Sequence, residues 1–324
     1  MLDIIITHYR EEWEIGKPAF DMLALQRGVS PSLFRVILVH DGGFAFPNDY
    51  FSGYPFAVEQ LVIPHGGVSA ARNAGLLHSR AEWVNFCDFD DMYSNVYALQ
   101  SIISVLGTKD HDFLRAEIIT EDFTAENPQM FVTPEVSTYV FIHAKYYRRQ
   151  WLVDSGIRFD PEFSFQEDSL FNALILATIP TERIGIIKTP FPPYIWARRG
   201  GSVTNSQPNE DRATWAHFRR NWKVTEYYRD HLGGERLRDM VVRSVYDAYF
   251  MVNSKQGISP QMREQITTAT QEYLHEFGQY YARPNCDTLP KIEEISASEL
   301  MDIQTPHDFG IVTLWKNIQE RTCK

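Results

Sequence analysis

Four short apolar runs, at residues 2–6, 35–39, 58–63 and 83–87, alternate with helical stretches over 13–27 and 69–81. The runs are β-branched and nearly continuous, as in Ile4-Ile5-Ile6 and Val36-Ile37-Leu38-Val39. A strand covered by helices on both faces needs apolar residues at successive positions, so such runs read as buried parallel strands. The alternation predicts a doubly wound α/β sheet, and sheets of that kind bind ligands beyond the carboxyl ends of their strands. Further on, the pattern predicts a helix over 95–106, an edge segment at 113–120, a strand at 138–143 and a short helix over 145–155. A helix over 165–177 opens with two acids, which suits a helix N-terminus. The Pro-rich 189–194 marks a turn into another extended segment. From about Asp211 the character changes to long helices, at 213–231, 235–253, 259–277 and near 299–317. Residues 1–208 are therefore expected to form a sheet domain and residues 209–324 a helical C-terminal region.

With 44% hydrophobic and 14% aromatic residues in 324, the chain can bury a sizeable core. Its net charge of −11 argues against a general polyanion binder. Cys87, Cys286 and Cys323 are too few and too scattered for a disulfide framework or a zinc site. The ten histidines show no metal-type spacing. The first run lacks a basic flank, and no apolar segment approaches the roughly 20 residues of a membrane span. A cytoplasmic protein with no transmembrane segment is expected.

Each strand end carries polar groups. Thr7-His8-Tyr9-Arg10 follows the first and His40-Asp41-Gly42-Gly43 the second. The second helix is preceded and opened by His65-Gly66-Gly67-Val68-Ser69-Ala70-Ala71-Arg72-Asn73-Ala74-Gly75. The fourth strand ends in Asp88-Phe89-Asp90-Asp91. Clustered hard oxygens at such an edge suit Mg²⁺ or Mn²⁺ bridging a carboxylate and a diphosphate, although a solvated acidic turn has the same composition. Later come Phe165-Gln166-Glu167-Asp168 and Trp196-Ala197-Arg198-Arg199-Gly200-Gly201-Ser202.

In this order, over about the first 205 residues, the set resembles the inverting family 2 glycosyltransferases of the GT-A fold. The helix motif and the acidic cluster match almost residue for residue. His40, in place of the usual first acid of the aspartate loop, and Arg10, where asparagine is common, depart from it. The resemblance implies a GT-A (Rossmann-like) mixed sheet flanked by helices, followed by the helical region. It also implies a metal-dependent inverting transfer from a nucleotide-diphosphate sugar.

On that resemblance, Thr7, Tyr9 and Asp41 hold the nucleobase. A carboxylate accepting an imide hydrogen beside a stacking tyrosine favours uracil, hence a UDP-sugar; Asp-Gly-Gly alone reads equally as a turn. Arg72 is placed near the diphosphate or base, against the plainer reading of a surface ion pair. Asp90 or Asp91 is expected to ligate the Mn²⁺ or Mg²⁺, and Asp88 to contact ribose or sugar. Asp168 is expected to be the general base, tuned or oriented by Glu167, whereas spacing alone allows simple helix capping. Arg199 and Ser202 are expected on a loop that folds over the donor, a solvated loop being the alternative. The acceptor class stays open among glycans, lipid-linked sugars, proteins and modified nucleic acid. The helical region is expected to shape the acceptor side or to form a homo-oligomer contact. Two rivals are a nucleotidyltransferase, which needs a Gly-rich phosphate loop that Thr7–Glu12 lacks, and a catalytically silent sugar-nucleotide or glycan-binding protein.

Overall fold

In the computed structural model, which describes residues 1–107, 110–122, 129–133, 140–198, 210–253 and 255–280, the four apolar runs are adjacent strands of one sheet. They are β1 (Leu2–His8), β2 (Phe34–Asp41), β3 (Ala57–Ile63) and β4 (Trp83–Asp88), paired in parallel in the order β4-β1-β2-β3. Three shorter strands extend this sheet to seven, in the order β10-β6-β9-β4-β1-β2-β3. They are β6 (Phe113–Arg115), β9 (Lys145–Arg148) and β10 (Ile184–Ile186). β9 runs antiparallel to both β4 and β6, so the sheet is mixed, as expected.

Both faces of the sheet are buried at β1, β2 and β4, which is why those runs are apolar at successive positions, whereas β3, at the sheet edge, is only half-buried. Ile4, Ile6, Val36 and Leu38 join one core, with Phe20 and Leu23 of α1 (Trp13–Ala24) and Leu99 and Ile102 of α3 (Ala98–Leu106). Ile5, Ile37, Val39, Val84 and Phe86 join the other. They pack there with Ala71 and Leu76 of α2 (Gly67–His78), Leu152 of α4 (Arg149–Asp154) and Phe171 and Ile175 of α5 (Glu167–Thr178). A second, four-stranded sheet has the order β5-β11-β7-β8. Its strands are β5 (Met92–Tyr93), β7 (Ile118–Asp122), β8 (Gln129–Thr133) and β11 (Tyr194–Arg198).

Three expectations change. The segment 113–120 is two strands, β6 and β7, in different sheets. The expected helix over 145–155 starts as β9, because adjacent Tyr146 and Tyr147 point to opposite cores and only an extended backbone permits that. Residues 140–143 of the expected strand are bend and turn; its first two positions, and the helix near 299–317, lie outside the described residues.

Contacts divide the chain into two units, Met1–Gln207 and Pro208–Lys324. Among the described residues, the second holds three long helices, α6 (Glu210–His231), α7 (Gly234–Asn253) and α8 (Pro260–Phe277). They bury Phe218, Val241, Val245, Ile266 and Tyr273, and the Tyr273 hydroxyl pairs with that of Thr225 at 2.7 Å. No helix of the described residues is long and apolar enough to cross a membrane.

Helix α2 sits unusually close to the sheet. A Cβ placed on Gly75 would lie 2.3 Å from the Ile5 Cγ2 and 3.2 Å from the Val39 Cγ2. Gly75→Ala is therefore expected to lower stability by about 1–3 kcal/mol through overpacking, despite the better helix propensity of alanine. Chemical denaturation of the two proteins measures this.

Candidate active site

Parallel pairing of β1, β2 and β4 brings their carboxyl ends to one edge, with Thr7 in register with Val39 and Asp88. The antiparallel partner β9 starts at that same edge. Its register pairs Trp83 with Arg148 and Asn85 with Tyr146, and the turn immediately before it carries His143. Ligand atoms of Asp88, Asp91 and His143 accordingly lie within 4.8 Å of one another. Asp90 is not in this group, and it is half-buried.

Asp91 is 1% exposed and held from the second sheet: the Tyr194 hydroxyl donates to Oδ2 at 2.9 Å and the Ala197 amide to Oδ1 at 3.0 Å. His143 Nδ1 lies 3.0 Å from the same Oδ2, an ion pair when the imidazole is charged. The clustering of this imidazole with the Asp91 and Asp88 carboxylates is what a co-ligand set requires, although a charged His143 pairs with Asp91 in the absence of an ion. Burial raises the Asp91 carboxyl above the usual range against the pull of His143. Burial also opposes the His143 imidazolium, but the charges of Asp91, Asp88 and Asp168 outweigh it and raise His143. A divalent cation would add positive charge beside Asp91, and two carboxylates with one imidazole fit Mn²⁺ well. The buried Lys145 ammonium donates to the carbonyls of Phe141 and His143 and so fixes the turn that presents the imidazole.

Arg72, 3% exposed on α2, does something the sequence did not disclose. Its Nη2 donates to Asp88 at 2.8 Å and its Nη1 to Glu167 at 2.9 Å, with the Phe159 ring 5.2 Å away. It is a buried bridge between two carboxylates rather than a surface ion pair. Burial favours a neutral Asp88, but Arg72 and His143 prevail and hold its carboxyl below the usual range. Neighbouring α2 residues fasten the same segment: Asn73 pairs with both the amide and the carbonyl of Phe159, at 3.0 and 2.8 Å.

Glu167 and Asp168 open α5, as the capping reading also allows. Asp168 is pushed up to about 6, chiefly by burial and then by the adjacent Glu167, while Arg72 and His143 pull it down. Gln166, immediately before them, has φ of +62°, a conformation that costs a side-chain-bearing residue on the order of 1–2 kcal/mol.

At the other end of the edge, Asp41 is buried and accepts from the amides of Gly66 at 2.7 Å and Gly67 at 2.9 Å, and from His65 Nδ1 at 2.9 Å. It thus fastens the start of α2. Tyr9 stacks on the His65 ring at 4.5 Å. Of the residues expected from sequence, Thr7, Tyr9, Asp41, Arg72, Asp88, Asp90, Asp91, Glu167 and Asp168 fall within the described unit, while Arg199 and Ser202 lie outside the described residues. His143 and His65 were not foreseen. Histidine spacing cannot reveal His143, because strand pairing rather than sequence proximity delivers it.

Residues 3–156 match the family described as Glycosyl transferase family 2. The minor teichoic acid biosynthesis protein GgaA of Bacillus subtilis is 26% identical over 198 residues, covering 54% of this chain and 43% of GgaA. The chain thus spans less than half the length of that relative. The uncharacterized glycosyltransferase EpsJ of B. subtilis is 23% identical over 258 residues, 72% of this chain and 71% of EpsJ. Among solved structures, S. aureus TarS 1–349 in complex with UDP has a TM-score of 0.60 at 15% identity, covering 100% of this chain and 92% of that one. The same TarS fragment has also been solved with UDP-GlcNAc, likewise at a TM-score of 0.60, with 17% identity over 98% of this chain and 90% of that one. The expected fold is thereby confirmed.

Replacing Arg72 by Met leaves Asp88 and Glu167 facing each other without a cation. A loss of about 2–4 kcal/mol is expected, below a fully buried pair because solvent reaches both acids. Asp88 is depressed in the wild type, so this contribution is complete above the unfolded carboxylate pKa of about 4 and disappears as pH falls through the folded value. Denaturation midpoints of the two proteins should therefore differ most near neutrality and converge in acid.

Proposed function

The N-terminal unit belongs to glycosyl transferase family 2, and from that premise we propose that the chain moves a sugar from a nucleoside-diphosphate donor, a UDP-sugar in first place, to an acceptor hydroxyl with inversion at the anomeric carbon. The observation that carries this reading is the pairing across Arg72: Asp88, with Asp91 and His143, on one side, and Glu167, with Asp168, on the other.

Asp168 takes the proton from the acceptor hydroxyl. The freed oxygen pair attacks C1 of the sugar, and the C1–O bond to the diphosphate breaks on the opposite face, its electrons leaving with the nucleotide. A carboxylate near 6 is ionised at neutral pH yet basic enough to accept that proton. Arg72 keeps Glu167 paired, which limits the repulsion that Glu167 exerts on Asp168. Asp88, Asp91 and His143 would hold a divalent ion, Mn²⁺ in preference to Mg²⁺ on account of the imidazole, and when bound it supplies Lewis-acid neutralisation of the departing diphosphate. This revises the metal pair expected from sequence, Asp90 and Asp91, to a set that leaves Asp90 out. Asp41 and Tyr9 offer a uracil-type base an acceptor and a ring face, and UDP and UDP-GlcNAc in the TarS complexes support that donor class. Donor binding and chemistry belong on this reading to residues 1–208, and acceptor choice or self-association falls to the helical region, 209–324. GgaA's part in minor teichoic acid biosynthesis favours a glycan acceptor over protein or nucleic acid.

Donor hydrolysis or transfer across a panel of nucleotide sugars with Mn²⁺ tests the proposal. Asp168→Asn is expected to lower kcat by about 10²–10⁴-fold with UDP affinity unchanged. The wild-type rate is expected to fall as pH drops through about 6, because protonated Asp168 cannot act as a base. Wild-type turnover in both Asp168→Asn and Asp91→Ala would refute the mechanism.

A further inference from the structure

His65 makes the same two contacts that a nucleobase would need in this site. Its ring stacks on Tyr9 at 4.5 Å with 15° between the planes, and its Nδ1 lies 2.9 Å from Asp41 Oδ2. With Asp41 ionised, that nitrogen donates. Oδ2 already accepts from the Gly67 amide at 2.9 Å, so the imidazole fills its remaining lone pair. The Tyr9 ring is engaged further by the Arg10 guanidinium, 4.9 Å from its centroid, and Arg10 itself has φ of +65°. Flat ring, stacked tyrosine and N–H to a buried carboxylate together describe how an imide base such as uracil would be held.

The imidazole is also built to leave. The His65 side chain is 58% exposed, and the residues that follow it are Gly66 and Gly67, the latter with φ of +85°. Asp41 does not depend on it, because the Gly66 and Gly67 amides hold the carboxylate independently. The contacts His65 makes are those of a partly exposed ring and a single hydrogen bond, which a ligand can replace at modest cost.

We infer that His65 is a built-in surrogate for the donor base: it occupies the stacking face of Tyr9 and the acceptor of Asp41, and an imide nucleobase binds by displacing it. This rests on the nucleoside-diphosphate reading above and adds to it a residue that sets donor affinity. The free protein is divided between an occupied and an open site, and only the open fraction binds, so apparent affinity is reduced by that fraction. The penalty is that of opening, so it is the same whether or not phosphates follow the base.

Calorimetric titration of the full-length chain with UDP and with uridine, in wild type, His65→Ala and His65→Phe, tests this. His65→Ala is expected to bind both ligands about threefold to tenfold more tightly, by the same factor for each. His65→Phe, which keeps the ring but lacks the N–H, is expected to gain less. Unchanged or weaker binding by His65→Ala, in a wild type that does bind UDP, would overturn the inference and leave the donor reading standing. A gain for UDP without a gain for uridine would overturn it too, since the effect would then lie with the phosphates. A wild type that binds no nucleoside diphosphate would remove the donor reading and this inference with it.

Discussion

A buried guanidinium joins the two halves of the site. Arg72 reaches Asp88 at the end of β4 and Glu167 at the start of α5, two elements far apart in sequence. Without a cation between them, the acids around Asp88 and those around Asp168 would repel one another. The rest of α2 serves the same junction. Asn73 clasps the backbone of Phe159, Ser69 reaches the Phe163 carbonyl at 3.5 Å, and Gly75 lets the helix settle on Ile5 and Val39. The dense Gly-x-Ser-x-Ala-Arg-Asn-x-Gly pattern is therefore a positioning device, with most of its side chains directed at the protein itself.

Strain is gathered at the same edge. Among the described residues, the non-glycine positions with positive φ are Arg10, Ala144 and Gln166. They adjoin Tyr9, His143 and Glu167-Asp168 respectively, one beside each part of the proposed chemistry. Such conformations persist only where surrounding contacts over-determine them, and those contacts are present: Asn73 and Arg72 around the α5 start, and Lys145 beneath the His143 turn. Pre-set geometry of this kind lets groups act without reorganising first.

Much of this was legible from the chain alone, for identifiable reasons. Strands buried on both faces leave unbroken apolar runs, and parallel strands must end at one edge, so the positions of Thr7, Asp41 and Asp88 followed directly. What could not be read was whatever depended on antiparallel pairing or on the partner of a charge. β9 was hidden because Lys145-Tyr146-Tyr147-Arg148 has no helical or strand period over so short a length, and His143 was hidden with it. The partners of Arg72 were hidden because nothing in the spacing reveals which two carboxylates it joins. Asp90 and Asp91 are adjacent in sequence, but Tyr194 and Ala197 of β11 hold Asp91 beside His143, and Asp90 is not in that group.

On the proposed mechanism, Asp88, Asp91 and His143 together form a divalent-cation site serving a nucleoside diphosphate. Thermal unfolding in the presence of UDP, with and without Mn²⁺, compared between wild type and His143→Ala, tests it most directly. UDP is expected to stabilise the wild type substantially more when Mn²⁺ is present, and His143→Ala is expected to lose this metal-dependent increment. An increment of full size in His143→Ala, or a wild type whose response to UDP ignores Mn²⁺, would contradict it.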